Sequence, residues 1–218
     1  MSTLRNTIDK FLSSARVSIG NGRQVPEILA ALTVFGYDDV RLQEGRALLD
    51  TATALHAAQK QEYGEQYAAT TALKQAWDEA DKVYSVHRKL ARLVLKDLPE
   101  QQQSLNVNGR KKQSFSGWLE QALVFYTNVL QNTTVQTALA RFNITVEALT
   151  QGQTLVQAVV NLNNVQKKEM YEAQQATKSR DEAMDALDAW LFEYYEVAKI
   201  ALADNPQQLE ALQIMVVP

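Results

Sequence analysis

Cysteine is absent from this chain of 218 residues, and histidine nearly so, with two. The lack of cysteine excludes a disulfide framework, a thiolate metal site and a cysteine nucleophile, and it fits a reducing compartment. Glycine and proline are scarce, eight and four, and they cluster at Gly20–Pro26, at Gly36, between Pro99 and Gly117, at Pro206 and at Pro218. No window alternates β-branched or aromatic residues with polar ones at period two, so no strand is expected. No apolar run approaches the ~18 residues that a membrane span requires. The N-terminal MSTLRNTIDKFLSSA lacks the apolar core of a signal peptide. These absences point to a cytoplasmic protein with no membrane partner. A basic surplus is missing too: the net charge of −3 leaves no electrostatic footprint for nucleic acid.

What remains between the glycine and proline clusters is rich in Ala, Leu, Gln, Glu and Lys, all good helix formers. The expected fold class is all-α. The chain also repeats itself. Shifted by 107 residues it aligns without a gap, and 22 of the 75 positions from 31 to 105 are identical to their counterparts. Matched residues include Phe35/Phe142, Gly45/Gly152, Leu55/Leu162, Asp78/Asp185, Asp81/Asp188 and Pro99/Pro206. A period of this size marks a duplicated supersecondary unit. The expected organisation is a first repeat over 1–98, a linker over 99–116 and a second repeat over 117–218.

Within the first repeat the patterning predicts a helix from Leu4 to Ser18, stopped by Gly20-Asn21-Gly22. A second helix runs from Pro26 to Val34. A corner at Phe35-Gly36-Tyr37 follows, with Asp38 or Asp39 as the next cap. The second repeat predicts Ser116–Leu130, then Thr133 or Thr134 to Arg141, a corner at Phe142-Asn143-Ile144 and Thr145 as cap. From 39 to 97 there is no proline, and a heptad register continues through the segment from Leu48 to Val94. Its counterpart runs from Leu155 to Ala201. Two continuous helices of nearly 60 residues are expected, each about 90 Å long at 1.5 Å per residue. Gly45 and Gly152 lie inside them in phase with the seam, which predicts close helix contact.

The seam is apolar at both ends and polar in the middle. An antiparallel crossing centred on Ala69 and Ala176 would set Lys60 level with Asp185 and Lys167 level with Asp78. The short helices would then complete a four-helix bundle at each end of a dumbbell. The alternative breaks the long helices near Thr70 and Thr177 and gives two sequential four-helix bundles.

Chemistry-bearing residues are few. His56 and His87 align with Asn163 and Tyr194, and neither ends a Glu-x-x-His motif, so no metal and no cofactor is expected. The i, i+3 acids Asp78/Asp81 and Asp185/Asp188 suit a solvated face paired with lysines. Arg110-Lys111-Lys112 in the linker is the densest basic cluster and a candidate contact for a partner or an anion. Trp77, Trp190 and Tyr194 are candidates to line a ligand cleft. The apolar C-terminal tail, Leu212 to Pro218, is expected to dock on the fold or to join a partner.

The phrases SFSGWLEQALVFYTNVL, ALARFNITVEAL and AKIALADNPQQLEAL resemble a group of uncharacterised bacterial helical proteins with the same two-copy layout. That resemblance implies a bacterial origin and assigns no activity and no site residue. No nucleophile–base pair, phosphate-cradling glycine loop or metal motif is present. The expectation is therefore a non-enzymatic structural or interaction protein, an elongated scaffold or spacer that self-associates or binds a protein partner. The alternative is a helical bundle that binds a small apolar ligand.

Overall fold

A computed structural model describes the backbone of residues 2–215 and the side chains of residues 7–215. Among the described residues there are eight helices and no strand. They are α1 (Ser2–Gln24), α2 (Pro26–Val34), α3 (Asp39–Val94), α4 (Pro99–Ser104), α5 (Phe115–Val129), α6 (Thr133–Ala140), α7 (Val146–Ala201) and α8 (Pro206–Ala211). The bounds of α3 and α7 differ by 107 residues at both ends, and so do those of α4 and α8.

Both long helices run unbroken for 56 residues, about 84 Å each. Asp38 caps α3, accepting from the Arg41 amide at 2.9 Å. Thr145 caps α7, accepting from the Ala148 amide at 3.3 Å. α5 begins one residue before its expected start, because Ser114 rather than Ser116 accepts from the Gly117 amide.

α1 departs from expectation. It continues through Gly20 and Gly22 to Gln24. A side chain at position 22 would collide with Tyr194, whose hydroxyl bonds the Ser18 carbonyl at 3.2 Å. Gly22 is thus a site of close approach from α7, and the tertiary contact overrides the local stop signal. The helix ends at Val25, extended because Pro26 follows. Leu4 belongs to α1, but its side chain lies outside the described residues.

The segment 99–116 also carries more structure than a linker. Pro99 opens α4 as Pro206 opens α8. Six residues are too few for a helical period to show in sequence. All four short helices, α2, α4, α6 and α8, close in the same way. A residue with positive φ (Gly36, Asn106, Asn143 or Gln213) turns the chain. The next residue sends its amide back to the helix, as Tyr37 does to Leu32, Val107 to Gln102, Ile144 to Leu139 and Ile214 to Leu209. That returning residue is apolar and buried each time, which anchors the Schellman-type cap by its side chain.

The fold divides into two compact units, Met1–Tyr63 with Glu172–Pro218, and Gly64–Tyr171. The first unit buries Leu12, Ile19, Ile28, Leu32, Leu49 and Leu187 around Trp190 and Tyr194. Leu212 and Ile214 of the C-terminal tail dock into this core, Met215 is exposed, and residues 216–218 lie outside the described part. The second unit buries Tyr84, Trp118, Phe125, Tyr126, Val135, Leu139 and Val156. Each such side chain contributes roughly 1.5–3 kcal/mol by leaving water.

In the first unit α3 and α7 are antiparallel: Gly45 faces Trp190, and Gln59 reaches Thr177 at 3.4 Å. This register differs from the expected crossing on Ala69 and Ala176. Lys60 lies far from the level of Asp185 and bonds Asp9 of α1 instead. The physical reason is size. The indole of Trp190 needs the space that Gly45 leaves, and that fit outweighs an exposed ion pair worth under ~1 kcal/mol.

Candidate functional site

The basic cluster Arg110-Lys111-Lys112 lies in the second unit, on a strap held against α3 and α5. Lys111 donates to both carboxylate oxygens of Asp81, at 2.7 and 2.6 Å, and to Ser85 at 3.0 Å. The same Asp81 accepts from the buried Trp118 indole at 2.7 Å. Lys112 pairs with Glu120 at 3.0 Å, and its amide donates to Gln121 at 2.8 Å. Gln121 in turn donates to the Arg110 carbonyl, while the buried Arg88 donates to the Val107 and Gly109 carbonyls. Two of the three cations therefore hold the strap in place, and Arg110 is exposed. Asp81 does pair with a lysine, as a helix-face acid should.

The three aromatic candidates fall in different units. Trp77 belongs to the second, edge-on to Phe115 at 5.1 Å and tilted on Trp118 at 5.7 Å. Trp190 and Tyr194 belong to the first, stacked at 5.2 Å with Tyr37 beside both. Tyr194 is fully buried and Trp190 is 7% exposed. Burial pushes the Tyr194 and Tyr126 phenols well above their ordinary value and the Tyr84 phenol up to about 12. These hydroxyls stay protonated near neutrality; those of Tyr194 and Tyr126 hydrogen-bond to Ser18 and His87, and Tyr84 serves packing.

The histidines have separate settings. His87 is buried in the second unit, with Nδ1 3.0 Å from the Tyr126 hydroxyl. His56 of the first unit is 5% exposed. Its Nε2 lies 3.2 Å from Asp9 Oδ1, the oxygen that Lys60 also reaches at 3.3 Å. Lys60, with a smaller contribution from His56, holds the Asp9 carboxyl below the usual range. Burial, then the neighbouring Lys60 charge, holds the His56 imidazole below its ordinary value.

Sequence reasoning misses this Asp9–His56–Lys60 group. His56 and Lys60 are one turn apart on α3, a visible i, i+4 pair, but Asp9 joins them from 47 residues away in the chain. No helix among the described residues is long and apolar enough to cross a membrane. Compared with family models, with curated proteins and with solved structures, the chain matches none.

Proposed function

We propose that this is a non-enzymatic protein-interaction protein, a helical scaffold of bacterial, cytoplasmic origin built by tandem duplication. The observation that carries this reading is an exposed apolar pattern repeated at the same positions of both copies. Phe35 and Phe142, which follow α2 and α6, are 49% and 43% exposed. Leu93 and Ile200, near the ends of α3 and α7, are 54% and 63% exposed. Single exposed apolar residues are ordinary on a protein surface. Most aligned positions of the two copies have diverged, yet these four keep large apolar side chains that contribute little to either core. Covering a phenyl ring would return up to ~3 kcal/mol, enough to make each position a useful anchor for a protein partner. The four-helix-bundle ends and the spacer role belong to the same proposal and rest on the unbroken length of α3 and α7.

The test is site-specific photocrosslinking, with a benzophenone amino acid at position 35 or 142 of the full chain. Discrete adducts at both positions, to a second copy or to another protein, are expected. Monomer alone at both positions, at concentrations up to about 100-fold above the micromolar range typical of transient partners, would remove the interaction reading.

A further inference from the structure

The last turns of the two long helices each present a face to solvent, one in either unit. In the second unit, α3 exposes Lys82, Val86, Lys89, Arg92 and Leu93, whose spacing sets them in one stripe about three turns long. In the first unit, α7 exposes Ala189, Phe192, Glu193, Glu196, Lys199 and Ile200. The two stripes occupy aligned positions of the duplication. Where α3 has Lys82, Val86 and Lys89, α7 has Ala189, Glu193 and Glu196, while Leu93 is matched by the equally apolar Ile200. The apolar anchor is kept and the charge around it is reversed.

Neither face is satisfied within its own molecule. Lys82, Lys89 and Arg92 make no ion pair or hydrogen bond among the described residues. Glu193 and Glu196 meet only exposed cations, Arg41 at 3.4 Å and Lys199 at 2.6 Å. Exposed pairs of this kind contribute little and give way readily to other partners. Val86, Leu93, Phe192 and Ile200 are each more than half exposed. A basic stripe and an acidic stripe, each built around large apolar side chains, have the complementarity that steers two surfaces together and fixes their register.

We infer that a second copy of this chain covers these faces, with the basic stripe of α3 in one molecule lying along the acidic stripe of α7 in another. The inference rests on the interaction reading above and names the partner. Charge also selects the direction of the pass. Run antiparallel with Lys89 level with Glu196, the helices bring Arg92 to Glu193, Leu93 to Phe192 and Val86 to the turn of Ile200. Run parallel from the same pair, they set Arg92 against Lys199. Because the two faces differ, each molecule can offer one and receive the other, so association need not stop at a dimer.

Sedimentation with light scattering on the full chain tests this, through charge reversal on each face in turn. The weight-average mass of the unaltered chain should rise above that of the monomer between about 1 µM and 1 mM, the range of weak contacts. It should fall back when the salt is raised to about 1 M, where the screening length drops to about 3 Å. Lys89→Glu with Arg92→Glu makes both faces acidic, and Glu193→Lys with Glu196→Lys makes both basic. All four sites are exposed, so circular dichroism should find both variants folded. Each alone should associate about 100-fold more weakly, because like charges then meet across the contact. Mixed in equal amounts, the two should associate again. A monomeric mass across the whole range, a reversed variant that associates as the unaltered chain does, or a mixture that stays monomeric would each overturn the inference. The interaction reading fails separately: adducts from position 35 or 142 to a different protein would leave it standing where the mass shows no self-association.

Discussion

At the scale of single residues, the glycines inside the long helices separate packing from propensity. A methyl group at Gly45 would collide with the Trp190 ring, and one at Gly152 with the Tyr126 ring. At Gly64 it would meet nothing within 4 Å. Alanine gains about 1 kcal/mol over glycine in a helix interior, but forcing extra volume into a packed contact costs about 1–3 kcal/mol. Urea denaturation should therefore show Gly45→Ala and Gly152→Ala lowering stability by up to about 2 kcal/mol net. Gly64→Ala should raise it by about 1 kcal/mol. If all three variants stabilised the protein, the close contacts would be refuted. That Gly45 and Gly152 mark close contacts was legible from their phase. Their partners were not, because the register between α3 and α7, and the approach of α5 to α7, are set by side chains far away in sequence.

At the scale of elements, the strap from Leu105 to Ser114 shows how a polar segment is held without regular structure. Val107 is buried behind the left-handed Asn106, and Asp81 of α3 joins Lys111 to Trp118. Asp81 and Lys111 are one-third and one-quarter exposed, so their pairing is only partly screened by solvent. Asp81→Ala would leave the buried indole N–H of Trp118 unpaired and release Lys111. The expected loss is about 1–3 kcal/mol by chemical denaturation. Limited trypsin digestion should then cut faster at Arg110, Lys111 and Lys112. Unchanged digestion would mean that the backbone hydrogen bonds of Arg88 and Gln121 hold the strap without Asp81. The basic run was plain in the sequence, but its acidic partner is 30 residues distant, too far for any local pattern to reveal. α4 and α8 were hidden for a different reason. Six residues carry no period, Asn106 is a residue type that also sits in ordinary turns, and Gln213 is not a type that signals a left-handed cap.

At the scale of the whole molecule, each unit contains one buried histidine, and both are held below the ordinary value of 6.5 by burial. A histidine depressed in the fold is neutral there, while the unfolded chain takes up its proton near 6.5. The stability it contributes is complete above that value and is lost as pH falls through it towards the lower folded-state pKa. Denaturation midpoints should be flat from about pH 8 to 7 and should fall from about pH 6.5 to 5. His87→Gln, which keeps a hydrogen-bonding group and cannot titrate, should reduce that fall. A midpoint unchanged across the acidic range would show that neither imidazole is desolvated. Among the described residues, each unit draws on both long helices: the first takes its core from α1, α2 and one end of α3 together with the far end of α7. The sequence by itself determined the helical class and the two corners at Gly36 and Asn143, because helix period, proline spacing and turn residues act within a few positions of the chain. It favoured two long unbroken helices but left a break near Thr70 and Thr177 open, and the structure decided for continuity. Only the tertiary structure decided that α1 runs through its glycines, that Gly45 receives Trp190, that Lys111 is spent on Asp81, and that Asp9 meets His56 and Lys60. Each of those depends on volume and charge brought together across tens of residues or more, and a one-dimensional pattern carries no measure of that distance.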